Sequence, residues 1–211
     1  PTVEEGKAKA ILRKFVREHP STIKEKVTIM MDHFWNHTDR QIAGKAKAMI
    51  VTSSRKMAVE YRLAVDKWIE ANNASFKALV AFTDVIEIDE KSYTENNMNG
   101  YPDTQTAARF NDDEYKILIV ANKFQTGFDQ PLLHTMYVDK KLGGVAAVQT
   151  LSRLNRVHPD KTETCVLDFV NEPEAIQKAF QPYYQRTVLE GETDPNAIYE
   201  LRRRLIDFDL Y

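Results

Sequence analysis

Tyr115-Lys116-Ile117-Leu118-Ile119-Val120-Ala121-Asn122 decides how this chain is read. It is an apolar run bounded by charge, the pattern of a strand buried on both faces of a sheet. Lys123-Phe124-Gln125-Thr126-Gly127-Phe128-Asp129-Gln130-Pro131 follows, a loop with a glycine and an acid two residues apart. Downstream lies Gln149-Thr150-Leu151-Ser152-Arg153-Leu154-Asn155-Arg156. Its pattern is helical, and i, i+3 spacing puts Arg153 and Arg156 on one helix face, within reach of the same small anion.

Working outward, Lys47–Thr52 (KAMIVT) and Lys77–Phe82 (KALVAF) are also short apolar runs. Between them Met57, Tyr61, Ala64, Val65 and Trp68 form the apolar face of a helix that Ser53 or Ser54 can cap. This strand–helix–strand unit predicts a parallel pair. His134–Asp139 and Thr164–Val170 supply two more strands, Val145–Arg156 a helix, and Glu174–Tyr184 another, with Ile176, Phe180 and Tyr184 on one side. Residues 83–103 read as irregular, followed by a short helix over 103–111 in which Ala107, Ala108 and Phe110 can pack. Asp89-Glu90 in the irregular piece is a poor candidate for an acidic metal motif, because no G-x-x-x-x-G-K-S/T sequence occurs anywhere in the chain. Before the first strand, residues 3–19 and 21–37 read as two helices, a hairpin packed on the core or, alternatively, a hinge arm toward a preceding domain, with Ile23, Val27, Met30 and Phe34 on one face of the second helix, which Ser21 or Thr22 can cap.

The fold class is therefore α/β, a mostly parallel sheet flanked by helices, with helical extensions at both ends. Residues 1–44 form a helical arm, 45–185 the main domain, and 186–211 the start of a C-terminal helical region.

Composition narrows the function classes. The chain has 211 residues, 43% hydrophobic and 28% charged, ordinary for a globular protein. A net charge of -2 gives no global basic field, so nucleic-acid binding must come from a local surface. The lone Cys165 reads as a buried structural thiol and fits a reducing, cytoplasmic setting. No apolar run reaches the length of a membrane span. No His, Cys and Asp cluster has metal-site spacing. His134 alternates with apolar residues, as a core histidine does.

The stretch from Tyr115 to Arg156 resembles the second RecA-like domain of a superfamily 2 helicase. Gly127-Phe128-Asp129 matches the end of motif V, and Gln149 through Arg153 to Arg156 matches motif VI. KAMIVTSSRKMAVEY, FQTGFDQP, YVDKKL, QTLSRLNR and VLDFVN look like the motor subunit of type I restriction enzymes, a likeness that covers roughly residues 45–184. Asn155 between the arginines and DFVN after the last strand favour that branch. Two positions depart from the pattern: Ala121 stands where many relatives have threonine, and Ser152 replaces the usual glycine.

The resemblance implies an ATP-dependent DNA translocase and endonuclease subunit in which this piece is the second motor domain. ATP and Mg2+ would be held mainly by a first motor domain outside this chain, so the piece alone would be inactive. Arg153 and Arg156 would act as catalytic arginine fingers, since arginine offers a fixed charge and a planar donor fork to a phosphate. Gly127, Asp129 and Gln149 would face the nucleotide. Ser53, Ser54, Arg55, Lys123 and Thr126 would touch the backbone of double-stranded DNA, where hydroxyls and single cations suit phosphate. Partners would be the first RecA-like domain and a nuclease domain of the parent chain, and the modification and specificity subunits. The rivals are another superfamily 2 helicase domain and a non-catalytic α/β binding module.

Overall fold

The computed structural model describes residues 15, 16, 18–124 and 127–189. Five strands form one parallel sheet: β1 (Lys47–Thr52), β2 (Lys77–Ala81), β5 (Tyr115–Val120), β6 (Leu133–Asp139) and β7 (Cys165–Asp168), in the order β2-β5-β1-β6-β7. Every residue of β1 and β6 is buried, which is why both appear in the sequence as unbroken apolar runs. The α/β expectation holds. One pairing differs: β1 and β2 are parallel but not neighbours, because β5 lies between them and pairs with both.

Helices cover both faces. Ala48 and Ile50 of β1 point to a core shared with α1 (Pro20–His33) and α3 (Arg55–Ala71). Met49 and Val51 point to the opposite core, where Leu151, Leu154 and Ala179 pack. That side is built by α6 (Gly144–Leu151) and α7 (Pro173–Leu189). Helix α1 buries Ile23, Val27, Met30 and Met31, so this part of the arm packs on the sheet domain. It ends at His33 and continues as a π-helical turn, Phe34–Thr38. Its cap is His19, whose ring accepts the Ser21 N–H ahead of Pro20, and not Ser21 or Thr22. The first helix of the expected hairpin lies mostly outside the described residues. So do residues 190–211.

A one-turn helix, α2 (Gln41–Gly44), then leads into β1. Its Ile42 and Ala43 have φ of 52° and 54°. Left-handed backbone is costly for a β-branched residue. Burial of Ile42 and a bond from Lys116 Nζ to the Gly44 carbonyl at 2.5 Å hold it in place.

The stretch after β2 is more ordered than its composition predicts. It forms an antiparallel hairpin of β3 (Ile86–Ile88) and β4 (Lys91–Tyr93), then α4 (Glu95–Asn99). Asp89 and Glu90 are the hairpin turn, with φ of 48° and 62°. The helix expected over 103–111 is a 3-10 turn, Asp103–Gln105, followed by α5 (Thr106–Arg109). Phe110 is buried there, but Ala108 is exposed.

Candidate nucleotide-facing arginines and strand-edge loops

The helix expected to run from Val145 to Arg156 stops at Leu151. Ser152–Asn155 is a 3-10 turn, and Arg156 beyond it is extended, with φ -71° and ψ 127°. The two arginines therefore do not share an α-helical face. They meet instead on the Gly127–Asp129 loop. Arg153 Nη1 donates to the Phe128 carbonyl at 3.1 Å, and Arg156 Nε pairs with Asp129 Oδ1 at 3.0 Å.

Local packing explains the convergence. Phe128 is buried against Phe124 and Phe110, at ring distances of 5.0 Å and 6.1 Å. That fixes the carbonyl which Arg153 binds. Gly127 has φ +69° with open space where a Cβ would stand, so it is required by conformation and not by crowding. Lys161 ties the 3-10 turn down: its Nζ donates to the carbonyls of Leu154 at 3.0 Å and Leu133 at 3.1 Å. Leu133 begins β6, so the arginines lie at the amino edge of the sheet. Gln149 is exposed on α6, four residues before Arg153.

Ser53, Ser54, Arg55 and Lys123 lie at the opposite, carboxyl edge, just past the ends of β1 and β5. The seven residues of β6 separate the two groups by roughly 20 Å. Ser54 caps α3, accepting the Met57 N–H at 3.2 Å. Ser53 Oγ is shielded from solvent and has no hydrogen-bond partner. Arg55 Nη1 donates to the Thr83 carbonyl at 3.1 Å and pairs with Asp84 at 3.3 Å while staying partly exposed.

Lys123 is engaged differently from a lysine waiting for phosphate. Asn122 and Phe124 on either side both have φ of 64°, and the Lys123 N–H closes a tight turn to the Ala121 carbonyl. Its ammonium binds Glu95 at 2.9 Å and Asp103 at 3.3 Å. Glu95 is buried on α4 and also accepts the Phe82 N–H and the Thr106 hydroxyl. Thr126 lies outside the described residues.

Glu95, Thr106 and Lys161 were not visible as site residues in the sequence. Thr94-x-x-Asn97 could have flagged α4, because it forms a capping box. Nothing signalled that Glu95 would be buried. Cys165 is only half-buried, and its thiol lies 3.9 Å from His33 Nε2. Burial pushes that thiol's pKa up. His134 is a core histidine bonded through Nδ1 to Thr135 at 2.9 Å, but its Nε2 is buried without a partner. Among the described residues no group of His, Cys, Asp or Glu converges as metal ligands.

These features define a helix-flanked parallel-sheet domain in which paired arginines dock on a Gly-x-Asp loop. The family described as type I restriction enzyme subunit R domain 3 matches residues 64–171, and the chain belongs to that family. It is 31% identical over 160 residues to the type I restriction enzyme MjaIXP endonuclease subunit of Methanocaldococcus jannaschii, covering 75% of this chain and 15% of that protein. It is 28% identical over 197 residues to the HindI endonuclease subunit of Haemophilus influenzae, covering 82% and 18%. The chain thus spans less than a fifth of these curated relatives. Among solved structures, a fragment of a type I HsdR subunit from Vibrio vulnificus is 16% identical over 78% of this chain and 29% of that one, with a TM-score of 0.47. The C-terminal domain of the DEAD-box protein Dbp5 is 14% identical over 76% of this chain and 78% of its own, with a TM-score of 0.45.

Proposed function

We propose that this chain is the second RecA-like motor domain of the ATP-dependent DNA translocase subunit of a type I restriction enzyme. The observation that carries the reading is the docking of Arg153 and Arg156 on the Gly127–Asp129 loop at one edge of the sheet. Two guanidinium groups one short turn apart fit the charge and shape of a terminal phosphate. Phosphoryl transfer needs fixed positive charge where negative charge is spread in the transition state. The chain has no glycine-rich phosphate loop, so a first motor domain must present the nucleotide and its Mg2+ across a cleft.

The carboxyl edge is the DNA-facing side in this reading. Arg55 offers a contact to the phosphate backbone without base readout, while the Ser54 hydroxyl is engaged in capping the helix behind it. Lys123 shapes that edge from within, through Glu95. Nuclease, modification and specificity components are the remaining partners of the complete complex.

ATP hydrolysis by the chain alone, and by the chain joined to the preceding segment of its parent, tests this. The chain alone should be inactive, and the joined protein should show hydrolysis stimulated by double-stranded DNA. Robust hydrolysis by the 211-residue chain, or none by the joined protein, would contradict the motor reading.

A further inference from the structure

Arg153 and Arg156 look equivalent in the sequence, but the structure holds them differently. Arg153 is half-buried and bonds a carbonyl that is fixed by packing of Phe128. Arg156 lies past the turn, 46% exposed, and its partner Asp129 is 70% exposed. One guanidinium is anchored, and the other is held by a carboxylate that stands in solvent.

We infer that Asp129 is a resting partner for Arg156, given up when a nucleotide phosphate arrives, and that Arg153 is a positioning residue for the loop that carries Asp129. This rests on the motor reading above and divides work between two arginines which that reading treats alike. The chemistry is a competition. Carboxylate and phosphate bind the same planar donor fork, and a terminal phosphate carries the greater charge. An exposed ion pair is weak and screened, so the parked state is easily surrendered. Parking keeps the side chain of Arg156 near its working position without burying it. Gly127 provides the left-handed turn that aims Asp129 outward, and Arg153 stops the loop from drifting.

The inference reverses the sign expected for Asp129. If Asp129 bound the nucleotide ribose, as the family resemblance implies, removing its charge would weaken ATP binding. As a competitor, its removal must strengthen it. In the complete subunit, Asp129→Asn should lower the KM for ATP by about two- to fivefold, the range open to an exposed pair. An unchanged or raised KM would overturn the inference. With Arg153→Ala in place, Asp129→Asn should have no further effect on KM, because the loop is no longer held. Full additivity would remove the positioning role. Arg153→Ala should lower turnover far less than Arg156→Ala, whose expected loss is on the order of 10³. Equal losses would place both arginines on the phosphate and overturn the division.

A second readout needs no turnover. In the 211-residue chain, the arginine Nε–H resonance of Arg156 should move toward that of a solvated arginine in Asp129→Asn, while that of Arg153 stays. A static Arg156 resonance would sink the parked pair. Retained turnover in Arg156→Ala is a different failure, that of the motor reading itself.

Discussion

Glu95 receives the ammonium of Lys123 at 2.9 Å in a site where the carboxylate side chain is 2% exposed and the lysine 20%. The two residues lie 28 positions apart. Glu95 Oε2 also accepts the N–H of Phe82 at 3.0 Å, and Oε1 accepts the Thr106 hydroxyl at 2.5 Å. One carboxylate therefore joins the end of β2, α4, the start of α5 and the loop after β5.

Removing one partner of a buried pair leaves an uncompensated charge and costs about 3–5 kcal/mol. Lys123→Met should fall in that range in urea unfolding, because it strands the Glu95 carboxylate, which is 2% exposed. Glu95→Ala leaves Lys123 paired with Asp103 and instead strands the Phe82 N–H and the Thr106 hydroxyl, at about 1–3 kcal/mol each. Lys123→Met should also leave the DNA affinity of the folded protein nearly unchanged. A large loss of affinity at parental stability would make Lys123 a phosphate contact and not an anchor.

What the sequence made visible follows from burial. KAMIVT, YKILIV and HTMYVD were readable because each strand is covered on both faces, so every position is apolar or paired. The β3–β4 hairpin was not readable: its strands have three residues each and are half-exposed. Its turn puts Asp89 and Glu90 in left-handed backbone without the usual asparagine or glycine. The break after Leu151 carries no proline or glycine, so the pattern alone predicts a helix through Arg156. The arginines and the Gly-x-Asp loop were legible as motifs, but their contact with each other was not. Glu95 was invisible because a charged residue is exposed by default, and only its three partners reverse that.

Lys26 of α1 reaches Asp139 at 2.6 Å, with the aspartate fully buried and also bonded by Tyr61 at 2.8 Å. These partners are 113 residues apart, so the pair clamps α1 onto the end of β6. Lys26→Ala should destabilise by roughly 3 kcal/mol. Amide exchange in α1 should accelerate more than in β1, since the clamp is local. Equal exchange in both elements would mean that apolar packing alone holds α1.

Two histidines make stability depend on pH. Burial, and then the neighbouring charge of His37, lower the pKa of His33; burial lowers that of His134, opposed by Glu163 and reinforced by Lys161 and His33. In the fold both resist protonation more than an ordinary histidine does. As pH falls below the ordinary value of 6.5, the unfolded chain takes up protons that the folded chain resists. The stability is full above that value and is lost on acidification. The melting temperature should fall between about pH 7.5 and about pH 5.5, and the fall should shrink in His33→Gln combined with His134→Gln. An undiminished fall in the double variant would assign the effect to carboxylates.

DNA binding by this chain should be weak, indifferent to sequence and weakened further by salt. Its net charge is -2, and Lys123 is committed to Glu95. Arg55 is the cation best placed to matter, since it is partly exposed at the carboxyl edge and its pairing with Asp84 is at the surface. Such a pair contributes about 1 kcal/mol or less, so a phosphate can replace it cheaply. Arg55→Ala should weaken binding equally across sequences and reduce the slope of log affinity against log salt by about one. Its melting temperature should stay close to that of the parent, because the side chain leaves no buried charge behind. A salt slope that does not change, measured by fluorescence anisotropy on duplexes of two unrelated sequences, would move the DNA-facing surface away from this edge.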